Sequence, residues 1–366
     1  MKIRWKRIGL ALAALALLGA IASASGLVPI RASGGHFAVV QAALEFSMHR
    51  SVATYAAGTV VPALDDPAMV LKGAGQYEIG CRACHGSPSV PTSRLASAML
   101  PVPPYLPRVV GDWSDAELFE VVKHGIKFTG MPAWPSQRRD DEVWAMVAFL
   151  RALPAMRAAE YRRLVGADSP SEAAPTGPLG VQRPPEVNER CGPCHGVAGE
   201  GRGSSAFPVL AGQSERYLLA TLEAFARGAR QSGIMQPIAA ELDDAQRRAL
   251  ARYYASLRPT PRPPASAPDA AASVARGEQI ARRGVPASRV PACGQCHGPG
   301  GAPRNPNYPT LAGQYADHLA LQLTLFQRGD RGGAAYARVM QRAAQGLTRE
   351  EIRDVTRYYA SLPTPP

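Results

Sequence analysis

Cys81-Arg82-Ala83-Cys84-His85 places two thiols and an imidazole within five residues, and the same punctuation returns at Cys191-Gly192-Pro193-Cys194-His195 and Cys293-Gly294-Gln295-Cys296-His297. C-x-x-C-H is the attachment signature of c-type haem: the two thiols add to the vinyl groups of the porphyrin, and the adjacent His is carried under the iron as its proximal ligand. A bare C-x-x-C would also suit a redox pair or half a zinc site. Here all six cysteines fall in the three motifs and every motif ends in His, so none is left for a disulfide, a zinc site or a nucleophile. The chemistry expected is three covalently attached haems c (iron), on Cys81 and Cys84, Cys191 and Cys194, and Cys293 and Cys296. His85, His195 and His297 are the expected iron ligands.

The elements that position these motifs follow from spacing. Three motifs roughly a hundred residues apart in a chain of 366 predict one small domain around each. A fixed haem is a large apolar body that side chains pack around, which offsets the weak core of a domain that size. The formal charge of +12 is reduced by roughly 6 once two propionates per haem are counted, which argues against nucleic acid and for acidic redox partners or anionic lipid. Lys2, Arg4, Lys6 and Arg7 precede an unbroken apolar run from Ile8 to Ala22, the layout of an export signal. Residues 1–30 therefore read as a signal-anchor or a signal peptide, placing the chain on the periplasmic side of a bacterial inner membrane. The uncharged stretch is long enough to span the roughly 30 Å hydrocarbon core, which favours a retained anchor, and cleavage near Ala22-Ser23-Ala24 is the alternative. Residues 31–69 form an amphipathic connection in which Phe37, Val40, Leu44 and Met48 share helical spacing, suited to a membrane surface or to packing on the first haem domain.

The first haem domain is expected over residues 70–165. Gly73 and Tyr77 lie on one face of a helix leading to Cys81, and Asp140 to Leu153 gives a second amphipathic helix that should cross it. Between them Gly130-Met131-Pro132 marks a loop that presents a thioether. This segment resembles a class I cytochrome c, close in pattern to the single-haem domains of oxidase-linked cytochromes. That resemblance implies Met131 as the distal ligand opposite His85.

Residues 166–185 and 259–272 are rich in Pro, Ser and Ala and read as linkers, which leaves domains at 186–258 and 273–366. These two are an internal repeat: Pro208-Val209-Leu210-Ala211-Gly212-Gln213 returns 101 residues later as Pro309-Thr310-Leu311-Ala312-Gly313-Gln314. Tyr253-Tyr254-Ala255-Ser256-Leu257 returns after 105 as Tyr358-Tyr359-Ala360-Ser361-Leu362, and Met235 pairs with Met340 at the same offset. Both halves resemble di-haem cytochrome c4, which implies His195/Met235 and His297/Met340 ligand pairs. The fold class expected is all-α, three small class I cytochrome c-type domains in tandem behind an N-terminal apolar helix.

Among the remaining candidates, Met146 reads as core, Met99 has no counterpart in the repeat, and His318 aligns with Tyr217 as a packing or polar-surface position. Arg227, Arg230, Arg328 and Arg331 suit either solvent or propionates. An iron closed by imidazole and thioether has no open position and moves electrons rather than binding substrate. The expectation is therefore a membrane-tethered electron carrier without catalytic residues, joining a dehydrogenase or quinol-oxidising complex to a terminal oxidase or small soluble cytochrome. The alternatives are the non-catalytic cytochrome subunit of a dehydrogenase complex and a haem enzyme such as a peroxidase.

Overall fold

The computed structural model describes residues 2–28, 31, 33–166, 180–260, 270–298, 300–303 and 305–364. Among them the regular structure is helical throughout, with no strand and two isolated bridges, as the all-α expectation requires. The two linker segments fall largely outside the described residues. Helix α1 (Lys2–Ala24) stands exposed, and its residues 4–24, at a mean hydropathy of 1.9, are long and apolar enough to cross a membrane. In α2 (Ala38–Ala56) the C-terminal half packs inward, burying Val52 and Ala56 and stacking His49 on Trp113 at 4.6 Å. Phe37, just before the helix, and Val40 and Leu44 in its N-terminal half are exposed.

The first core gathers α3 (Pro67–Gly80), α4 (Asp115–His124), α5 (Asp140–Ala152) and α6 (Ala158–Leu164). Helix α3 crosses α5 so closely that a Cβ at Gly73 would lie 2.1 Å from the Ala145 carbonyl oxygen and 2.6 Å from Phe149 Cβ. Only glycine fits there, which explains its place on the face shared with Tyr77. The Tyr77, Phe149 and Tyr161 rings pack together at the crossing, and Tyr77 donates to the Gly86 carbonyl at 2.7 Å, tying the helix to the turn after His85. Met146 is in this core, as expected.

A second core, around Val187, Leu218, Leu250 and Tyr253, lies among α7 (Glu215–Ala226), α8 (Met235–Glu241) and α9 (Asp244–Ser256). A third, around Ile280, Leu319, Val355 and Tyr358, lies among α10 (Ala270–Arg283), α11 (Ala316–Arg328), α12 (Ala337–Gln345) and α13 (Arg349–Ser361). Helices α10 and α13 repeat the close crossing of the first unit, since a Cβ at Gly277 would sit 2.1 Å from the Asp354 carbonyl. Asp354 is buried and accepts from Ser273 Oγ at 2.5 Å and from Arg276 Nε at 2.6 Å. The two repeat units differ at their entry. The third motif follows the 14-residue α10, whereas the described part of the second approach is a single wide turn, Val187–Cys191.

Second and third units clasp one another through the repeated P-x-L-A-G-Q segment. Gln213 donates to the Thr310 carbonyl at 2.9 Å and accepts from its N–H at 3.0 Å, while Gln314 does the same to Val209 at 2.9 and 3.0 Å. Each copy thus recognises the backbone of the other, the reciprocity expected of two similar halves facing one another.

Candidate haem sites

Each motif forms one helical turn, Arg82–His85, Gly192–His195 and Gly294–His297, closed by a glycine of positive φ. That turn brings both thiols and the imidazole to one side. In all three the His Nδ1 faces a proline carbonyl oxygen: Pro104 at 2.8 Å from His85, Pro208 at 3.3 Å from His195 and Pro309 at 3.2 Å from His297. A carbonyl can only accept, so the proton sits on Nδ1 and the Nε2 lone pair is free for a metal. Burial pushes all three imidazoles below their ordinary pKa, only partly opposed by the proline carbonyls, and keeps them neutral.

All six cysteines are free. Burial pushes the Cys81 and Cys191 thiols up to about 12 and those of Cys194 and Cys293 up to about 11, with the neighbouring motif cysteine adding to it for Cys81 and Cys191. Such thiols are poor thiolate nucleophiles and poor zinc ligands at neutral pH. Among the described residues no cluster of three His, Cys, Asp or Glu side chains could hold a bare metal ion.

One cavity of about 850 Å³ runs between the second and third units, with residues of the first unit completing its wall. Its wall includes His195, Met235, His297 and Met340 together with Cys191, Cys194, Cys293 and Cys296. Both motif-and-thioether pairs named from the repeat are therefore brought to one space, which lies toward the large end of the roughly 300–1,000 Å³ typical of cofactor pockets. Arg230 and Arg331 also line it, each only 8% exposed and stacked on a phenylalanine, Phe225 at 4.6 Å and Phe326 at 4.5 Å. Arg230 bonds Gln322 at 2.8 Å and Arg331 bonds the Tyr217 hydroxyl at 2.9 Å, with no carboxylate paired to either among the described residues. Burial and the adjacent Arg331 push the Arg230 pKa down, the signature of positive charge held without a counter-ion. A cavity lined by paired thiols, neutral imidazoles and unopposed guanidiniums fits an apolar macrocycle that carries two acid groups. Of the other two arginines considered for that role, Arg227 is exposed, does not line the cavity and pairs with Glu223 at 3.6 Å, whereas Arg328 borders the cavity but is exposed. His318 lines the cavity rather than the outer surface, and burial with Arg230 and Arg331 nearby holds it well below its ordinary pKa.

His85 and Met131 lie outside this cavity. Met131 is half-buried, its N–H accepted by Thr129 Oγ1 at 3.1 Å and its carbonyl bonded by the Ile126 N–H at 3.2 Å. Met99, which has no repeat counterpart, places its methyl 2.1 Å from where a Cβ of Gly130 would be, so a second thioether flanks the Met131 loop. Ser232 was not visible as a site residue. Its hydroxyl accepts from the Met235 N–H at 3.0 Å and fixes the start of the helix carrying that thioether.

Comparison with known proteins agrees with this chemistry. Residues 68–150 match the family described as cytochrome c oxidase, cbb3-type, subunit III, and residues 187–258 and 274–363 each match the cytochrome c family. A protein named thiosulfate dehydrogenase electron acceptor, from Thiomonas intermedia (strain K12), is 38% identical over 183 residues, covering 50% of this chain and 82% of its own. Cytochrome c4 of Pseudomonas aeruginosa is 35% identical over 173 residues, 47% of this chain and 83% of its own. The crystal structure of reduced recombinant cytochrome c4 from Pseudomonas stutzeri aligns at 31% identity and a TM-score of 0.43 across 47% of this chain and 93% of that one. The chain belongs to the c-type cytochromes, as a multi-haem member with a di-haem cytochrome c4-like region, and it is an electron carrier that binds haem c covalently.

Proposed function

We propose that this chain is a periplasmic electron-transfer cytochrome with three haems c, tethered to the inner membrane by α1. The attachment residues are Cys81 and Cys84, Cys191 and Cys194, and Cys293 and Cys296, with His85/Met131, His195/Met235 and His297/Met340 as iron ligands. The haem-bearing domains run over residues 70–165, 186–258 and 273–366. When bound, each haem supplies a one-electron couple whose potential a thioether ligand raises. The observation that supports the reading best is the threefold recurrence of an imidazole whose Nδ1 is engaged by a proline carbonyl beside a pair of free thiols. Engaging Nδ1 fixes ring orientation and leaves Nε2 to bind.

The partners are redox proteins: a dehydrogenase on the donor side and a terminal oxidase or small cytochrome on the other. The name of the Thiomonas relative supports a thiosulfate dehydrogenase as one such donor for the cytochrome c4-like region. The match of the first domain to an oxidase subunit family supports an oxidase on the acceptor side. The test is near-infrared magnetic circular dichroism of the oxidised protein. Three equivalents of the thioether-to-ferric-iron band are expected, and a high-spin signal or tight cyanide binding would refute the closed-iron carrier.

A further inference from the structure

The second motif is covered from outside its own unit. A Cβ at Gly75 on α3 would lie 3.1 Å from Cys194 Sγ and 3.0 Å from Phe207 Cζ, so the first unit's helix backbone rests directly on the second site. Cys194 is 8% exposed as a result, whereas Cys296, its counterpart in the repeat, is exposed. Met69, Gln76 and Trp144 of the first unit line the cavity beside His195, and the Gln76 amide oxygen there is buried without a partner.

Two further clamps hold this wall. On the loop after the second motif, Arg202 donates to the Leu164 carbonyl at 2.7 Å and to Arg163 at 3.0 Å, closing the C-terminal end of α6. Arg202 does so from a φ of 56°, a strained conformation for a side-chain-bearing residue that the interface sustains. On the opposite side Glu142, 2% exposed, accepts from Ser232 Oγ and from the Gly233 N–H, both at 2.6 Å. Arg139 adds a bond to the Gln231 carbonyl at 2.7 Å.

We propose that the first unit is a permanent wall of the second haem site, sealing the Cys194 edge against solvent and external redox partners so that the second centre communicates only with the first and third. The juxtaposition of Gly75 with Cys194, clamped by Arg202 and Glu142, carries this inference, which rests on the three-haem reading above. Partners would then meet the chain at its first and third sites.

The test is hydrogen-exchange mass spectrometry on the full-length, haem-loaded protein, comparing peptides 190–198 and 292–300. In the native protein the first peptide should exchange about tenfold more slowly than the second. Two variants loosen the wall: Arg202→Gly, which removes the clamp and relieves its positive φ, and Gly75→Leu, which collides with Phe207 and Cys194. Both should bring peptide 190–198 to the rate of 292–300, leave the latter unchanged, and shift one of the three midpoint potentials negative as water reaches that centre. Equal exchange in the native protein, or no change in either variant, overturns the proposal. Denaturing mass of the same samples separates the two claims: fewer than three haems refutes the haem count, whereas three haems with an unprotected second motif refutes only the wall.

Discussion

Glu142 provides the most quantitative test of how the first unit is joined to the second. Its carboxylate takes four donors: Ser232 Oγ and the Gly233 N–H across the interface, Trp134 Nε1 at 3.1 Å and Arg139 Nη1 at 3.0 Å within its own unit. Replacing Glu142 with Ala strips the acceptor from all four and leaves Arg139, 6% exposed, with Asp141 as its remaining side-chain partner. Removing one member of such a buried charged network costs about 3–5 kcal/mol. Part of that loss is internal to the first unit, so a double-mutant cycle isolates the interface. With Ser232→Ala as the second substitution, a 2.6 Å hydrogen bond to a charged acceptor should give a coupling of about 1.5–3 kcal/mol. Guanidinium unfolding of the four loaded proteins reads it out. A coupling below about 0.5 kcal/mol would show additive sites and would refute a fixed joint at this position.

Other outcomes follow from the same geometry. Gly73→Leu drives a side chain into the Ala145 carbonyl and should destabilise the first unit by at least the roughly 1–3 kcal/mol of core overpacking, seen as a lowered Tm; an unchanged Tm would contradict the close crossing. Burial alone would raise the Asp354 pKa, but Arg276 and Ser273 outweigh it and hold the carboxyl low. Its stabilisation is therefore complete above the unfolded value of about 3.9 and is lost as pH falls through the lower folded value. Asp354→Asn should be less stable at pH 7 and should flatten the acid limb of the denaturation midpoint, and an unchanged limb would contradict the pairing. Substituting Met235 by Ala should lower one midpoint potential and abolish one near-infrared thioether band, whereas Met146→Ala should lower stability and leave all three bands.

The motifs, the repeat and the crossing of α3 with α5 were legible because each depends on local spacing: C-x-x-C-H within one turn, Gly73 and Tyr77 on one helical face. The interface was not. Glu142 follows Asp140 and Asp141 in the first turn of α5, where acidic residues ordinarily serve the helix dipole, and only residues ninety positions onward bury it. Gly75 similarly reads as a weak helix residue until Cys194 is set against it. Arg230 and Arg331 lie among exposed arginines in sequence, and their burial comes from the mutual docking of two repeat units. For α2, the apolar stripe was visible but its partner was not, since His49 meets Trp113 only in the folded chain.

The central claim is that three porphyrins are bonded to this polypeptide. Intact mass spectrometry of the exported protein under denaturing conditions tests it most directly, because thioether-linked groups survive unfolding and non-covalent ones do not. A mass carrying three haem additions is expected. A mass with fewer, or a bare polypeptide, would contradict the account.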